Sequence, residues 1–70
     1  MKPDEIRELS TEEIRIRLDE AREELMNLRF QQSTGELIDT TRLPQTRRLI
    51  ARFLTILKER EMEAEMEGEA

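Results

Sequence analysis

Apolar positions recur along this chain at intervals of three and four. The first series, Ile14, Leu18, Ala21, Leu25 and Leu28, closes on Gln32 with spacings 4, 3, 4, 3, 4, and no glycine or proline interrupts it. Such spacing draws one stripe along an α-helix and marks a heptad seam. Ahead of it, Ser10-Thr11-Glu12-Glu13 reads as a capping box, with Ser10 at the N-cap and Glu13 reaching back to its amide. Gly35 stands where a left-handed residue closes a helix. The first long helix is therefore predicted over about residues 11–33.

A second series follows in Leu43, Thr46, Ile50, Phe53 and Leu57, spaced 3, 4, 3, 4. Asp39, Thr40 and Thr41 offer N-cap oxygens for its start. Pro44 is tolerated only in the first turn, where amides lack helical partners, so this helix is predicted over about 41–60, after a loop at 34–40. The remainder, 61–70, alternates glutamate with Met, Ala and Gly. Like charges with little to bury predict a frayed or disordered acidic tail. Pro3 to Leu9 adds one short helical turn, and no period-two run supports a strand. The fold class is all-α: a long antiparallel two-helix hairpin over residues 1–60, with a short N-terminal helical turn.

Composition changes this picture in three ways. Seventy residues give a thin core, so such a hairpin leans on a larger assembly for rigidity. With no cysteine and no histidine, neither a disulfide framework nor the commonest metal ligands and general base are available. Carboxylates lie on solvent-facing helix positions with no pocket to perturb them, so neither an enzyme, a metal site nor a cofactor is expected. The apolar runs are too short for a membrane span and the first residues lack a signal-peptide core, which makes a soluble cytoplasmic protein the expectation.

Charge is segregated. Residues Met1 to Leu28 carry 5 basic and 9 acidic side chains, Arg29 to Lys58 carry 6 and 2, and Glu59 to Ala70 carry 1 and 6. A basic block between acidic flanks can recruit a polyanion although the whole chain has a formal charge of −5.

The residues that the hairpin does not use carry the functional signal. Arg15, Arg22 and Arg29 fall on one line of the first helix, and the first two have acidic neighbours such as Asp19 within a helical turn. On the second helix Arg48 and Arg52 lie away from the seam and Arg47 flanks it. No acidic residue stands between Thr40 and Lys58, so these three lack a partner in their own helix. Their planar forks suit phosphate. Gln31, Gln32, Ser33, Thr34 and Gly35 are uncharged donors and acceptors with a glycine that permits close approach, suited to RNA sugar and phosphate edges. Leu49 and Ile56 share a face with Gln45 and Arg52 that has no place in a two-helix core. Phe30 also points away from the seam: either Leu37 and Ile38 fold back over it, or it anchors a partner.

The motif Asn27-Leu28-Arg29-Phe30-Gln31, then Thr34-Gly35-Glu36-Leu37, then Arg47-Arg48-Leu49-Ile50-Ala51-Arg52 and Thr55-Ile56-Leu57 closely resembles the family of the large-ribosomal-subunit protein numbered twenty-nine in the bacterial scheme. The resemblance runs from Glu5 to about Arg60. It implies a helical hairpin without enzymatic activity, bound to large-subunit ribosomal RNA near the mouth of the polypeptide exit tunnel. Neighbouring ribosomal proteins, trigger factor and the signal recognition particle are the partners it implies nearby. By position, its RNA-facing stretches fall on Arg29, Gln31 to Gly35, Arg47, Arg48 and Arg52, leaving Phe30, Leu49 and Ile56 as candidate protein contacts. The chain departs from the pattern at Pro44, where the family usually has a basic residue, at Phe53, which replaces a smaller aliphatic, and at Leu49, often polar. The rival reading is a protein-only hairpin that dimerises into a four-helix bundle over Phe30, Leu49 and Ile56.

Overall fold

A computed structural model describes residues 1–37 and 39–68. It contains three helices, α1 (Pro3–Arg7), α2 (Thr11–Thr34) and α3 (Arg42–Gly68), and no strand among the described residues. The all-α hairpin expected from the heptad spacing is the observed architecture: α2 and α3 pack side by side, and α1 lies against α3. The result is a rod 54 Å long and 18 by 16 Å across. No described helix is long and apolar enough to cross a membrane.

Local chemistry sets the helix ends. Pro3 opens α1, where its missing N–H costs nothing, and Asp4 and Glu5 complement the helix dipole in the first turn. Ser10 caps α2 by accepting the Glu13 amide at 3.1 Å. The return bond, from the Ser10 amide to the Glu13 carboxylate, does not form among the described residues, so only half of the expected capping box is built. Before α3, the Asp39 carboxylate accepts both the Thr41 amide at 3.0 Å and the Thr41 hydroxyl at 2.6 Å. This turn delivers Pro44 into the first turn of α3, the one place where it is harmless.

The seams bury as their spacing requires. Ile14, Leu18, Ala21 and Leu28 of α2 meet Leu43, Thr46 and Phe53 of α3, all buried, with Leu25, Ile50 and Leu57 half-buried. Phe53 is among the largest fully buried side chains. The α2 seam ends at Leu28, because Gln32 is exposed while Gln31 is half-buried.

Two expectations are corrected. Leu49 and Ile56 do have a place in the core: Ile56 is 2% exposed and Leu49 packs against the same cluster. The cause is α1, which lays Ile6, itself 0% exposed, into the cluster with Ile14, Leu18, Phe53 and Ile56. What reads in sequence as an extra turn is a third layer. The second correction concerns the tail. The second helix does not fade after Arg60 but continues to Gly68, since Glu, Met and Ala are strong helix formers and no breaker intervenes before the glycine. Glu69 and Ala70 of that tail lie outside the described residues, as does Ile38 of the loop.

Arg60 holds the layers in register. Its guanidinium donates to the Leu9 carbonyl at 2.7 Å, the Arg7 carbonyl at 3.0 Å and the Thr11 hydroxyl at 3.0 Å. It thereby satisfies acceptors at the end of α1 and ties the α1–α2 junction to α3. Beside it Arg7 bridges Asp4 at 3.0 Å and Glu59 at 3.4 Å, and both carboxylates raise the Arg7 pKa further above its ordinary value, Glu59 the more.

Ile6→Ala is expected to lower the unfolding free energy of the full chain by about 2–5 kcal/mol, and Arg60→Gln by about 1–3 kcal/mol. Urea denaturation followed by helical circular dichroism measures both. An unchanged midpoint for Ile6→Ala would show that α1 is not part of the cooperative core.

Candidate nucleic-acid interface

A basic flank of α3, bordering α2, begins where the helix begins. Arg42, Gln45, Leu49 and Arg52 recur at three- and four-residue steps, and Arg48 stands one turn before Arg52. With Thr46, Glu24 of α2 and Met1 they line an open cleft of about 400 Å³. Three arginines thus share one depression.

Their situations differ. Arg42 is paired with Glu24 across the two helices, and both side chains remain about half exposed. Arg52 donates to the Met1 carbonyl at 2.9 Å, so the amino terminus forms one wall and holds this guanidinium in place. Arg48 makes no ion pair or hydrogen bond among the described residues and is exposed. Arg47 is equally exposed and unpaired among the described residues, but lies outside the cleft. The sequence reading missed Arg42. Its signal was present, since it precedes Gln45 by three residues on the same face.

The second expected cluster sits at the end of α2 and is not brought into this cleft. Arg29 is exposed there without a partner among the described residues. Gly35 adopts φ 79° and ψ 8°, the left-handed geometry that closes the helix. The Gly35 amide donates to the Gln32 carbonyl at 3.2 Å, and the Glu36 and Leu37 amides donate to that of Gln31 at 2.8 and 3.2 Å. This is a Schellman closure. Ser33 donates its hydroxyl to the Phe30 carbonyl at 2.8 Å, and Thr34 donates to the carbonyls of Phe30 and Gln31 at 3.3 and 3.1 Å. These hydroxyl protons are therefore spent within the helix. What Ser33 and Thr34 offer outward is acceptor capacity; Gln31 and Gln32 keep their side-chain amides.

Phe30 is 64% exposed. Of the two residues expected to fold over it, Leu37 is half-buried and Ile38 lies outside the described residues. Ile56, the third candidate protein contact, is withdrawn into the core by α1, and Leu49 is half-buried.

The helix contributes only positive charge to this face, and Glu24 is the acid that α2 adds. From Arg42 to Lys58 the helix has no carboxylate of its own, and the nearest acid before it, Asp39, is occupied by Thr41. Those hydrogen bonds, to hydroxyl and then amide, hold the Asp39 carboxyl below its ordinary value, with Arg42 adding a smaller attraction.

Comparison with known proteins gives a consistent answer. The model of the family described as "Ribosomal L29 protein" matches residues 4–60. A large ribosomal subunit protein uL29 of Lactobacillus delbrueckii subsp. bulgaricus is 56% identical over 63 residues, covering 90% of this chain and 97% of its own. Those of Geobacillus stearothermophilus and Symbiobacterium thermophilum are 53% and 49% identical, over 91% and 100% of this chain and 97% and 100% of theirs.

Two outcomes are expected at this end of the molecule. Gly35→Ala meets no neighbouring atom within 4 Å, so its cost is backbone strain alone, about 1–2 kcal/mol in denaturation. Because Thr41 holds the folded Asp39 carboxyl below its ordinary value, its stabilising contribution is complete above that ordinary value and lost as pH falls through the lower folded one. In Asp39→Asn, stability should change less with pH across this acid range than in the parent; equal slopes would show that the carboxylate is not held by Thr41.

Proposed function

Because the chain belongs to the ribosomal L29 protein family, it is a structural constituent of the large ribosomal subunit rather than an enzyme, and we propose that it holds its place there by gripping ribosomal RNA through α3 and the end of α2. The ribosome is cytoplasmic in bacteria, and with it this protein. Association with large-subunit RNA and neighbouring ribosomal proteins is what such a constituent does. The finer claims concern which residues do it and where.

The observation that carries the reading is the cleft of Arg42, Arg48 and Arg52 beside Gln45, on a helix with no carboxylate of its own until Glu59. There Glu24 of α2 pairs with Arg42 and leaves Arg48 and Arg52 without an acid partner among the described residues. Arg48 and Arg52 stand one turn apart and suit successive phosphates; Gln45 suits a sugar or phosphate oxygen. Arg47 reaches the backbone on the adjoining flank. At the hairpin end Arg29 supplies charge, Gln31 and Gln32 supply side-chain amides, and Ser33 and Thr34 supply hydroxyl acceptors. Gly35 lets the backbone come close. Phe30, exposed between these groups, is the anchor for a neighbouring protein, with Leu49 at the margin.

Placement near the polypeptide exit tunnel, with trigger factor and the signal recognition particle close by, rests on the family resemblance of the Asn27–Leu37 and Arg47–Leu57 motifs. The competing four-helix-bundle reading loses its main support, since α1 already covers the Ile56 face that a second copy would have covered.

Replacing Arg48 and Arg52 together by Glu should weaken binding to large-subunit RNA and make its log–log salt dependence shallower by about 1.5. Filter binding across a salt series measures it, with Arg48→Gln and Arg52→Gln as milder variants whose helicity is checked by circular dichroism. Unchanged affinity and slope in the helical double variant would remove this face from the interface.

A further inference from the structure

The last two turns of α3 bury no side chain, although Glu61, Ala64 and Glu65 border an open cleft of about 670 Å³ shared with Thr11 and Arg15 of α2. Residues Glu61–Gly68 are all exposed and extend the helix by about 12 Å past the Arg60 clasp. The family match ends at residue 60, short of this overhang. Met62 and Met66, one turn apart, are 53% and 71% exposed. They prolong a line along α3 that starts at Leu54, itself exposed, and passes Lys58. At 100° per residue, Glu59 and Glu63 run along one side of the methionines and Glu61 and Glu65 along the other. Glu59 is occupied by Arg7. Glu61, Glu63, Glu65 and Glu67 make no ion pair or hydrogen bond among the described residues, and they repel one another at four-residue spacing.

This is an apolar strip with acidic borders, and its charge selects among occupants. RNA is disfavoured because its phosphates meet four carboxylates that have no ion pair among the described residues. A second copy carries the same acidic strip and the same formal charge of −5, so it is a poor match. A cationic polypeptide segment meets both requirements: its charges relieve the repulsion between glutamates, and its apolar side chains cover the methionines. Methionine suits such a surface because its unbranched thioether adapts to irregular partners.

We propose that the Met62–Met66 face of the α3 overhang docks a lysine- and arginine-rich segment of another large-subunit protein. The segment's apolar residues lie on the two methionines, and its cations pair with Glu61, Glu63 and Glu65. The proposal takes membership of the subunit as its premise and is independent of which arginines touch RNA.

Hydrogen peroxide footprinting of the free full-length chain and of purified large subunits tests it, with methionine sulfoxide read by mass spectrometry. Oxidation of Met62 and Met66 should be slowed several-fold in the subunit relative to the free chain. A photo-reactive phenylalanine analogue at position 66 should then cross-link, in the same subunits, to a segment of net positive charge in another protein. The cross-link should fall in a variant with Glu61, Glu63, Glu65 and Glu67 all replaced by Gln, which preserves helix propensity. Equal oxidation in both settings overturns the proposal. So does cross-linking only to RNA, to a second copy or to a segment without positive charge, or cross-linking that the Gln variant leaves unchanged. None of these outcomes bears on the Arg48 and Arg52 test, so the two readings stand or fall apart.

Discussion

The structure depends on one small insertion, the side chain of Ile6 between α1 and α3. Two long helices packed along a single seam bury one stripe each, and the second apolar face of α3 would remain in water. By placing Ile6 against Phe53 and Ile56, a helix of five residues converts that face from a liability into core. So short a helix has little stability of its own. It is held by what surrounds it: Pro3 at its start, the Arg7–Glu59 bridge at its side and Arg60 on its terminal carbonyls. The hydrophobic contact supplies the driving force, and the guanidinium fixes the register.

That arrangement decides which arginines are available for RNA. The chain carries twelve basic side chains, and they divide by what they touch. Arg60 and Arg7 are committed to the fold. Arg42 is shared with Glu24 and Arg52 with the Met1 carbonyl, so both are oriented by the protein while still facing the cleft. Arg29, Arg47 and Arg48 have no such commitment among the described residues. A guanidinium held in place loses less side-chain entropy on meeting a phosphate than one that swings freely. The cleft therefore combines oriented and free positive charge around a single acid, Glu24, that is already paired.

Much of this could be read from the sequence, and the failures have physical causes. The three-and-four spacing of Ile14 to Leu28 and Leu43 to Leu57 fixed helices, seams and hairpin, because each stripe spans several turns. Ile6 was not legible. A single apolar residue in a five-residue helix has no periodicity to betray its direction, and Ile56 was misread in consequence. The overhang was misjudged because charge was weighed above helix propensity. At the hairpin end, Ser33 and Thr34 were read as both donors and acceptors for a partner, but their hydroxyl protons go to carbonyls of their own helix, three and four residues back, which leaves only the acceptors. The basic face of α3 was visible as an absence of acids, but its membership became complete only when Glu24 and Met1 were seen to share the cleft.

The wall that Met1 contributes to that cleft has a practical side. Its carbonyl holds Arg52, and Pro3 follows two residues later with a fixed backbone angle, so anything fused ahead of Met1 must leave from the arginine-lined cleft itself. A purification tag or fluorescent label joined there would compete for the surface it was meant to report on. Attachment sites for labelling are better sought on the exposed flank of α2 around Glu20, which takes part in neither the cleft nor the overhang.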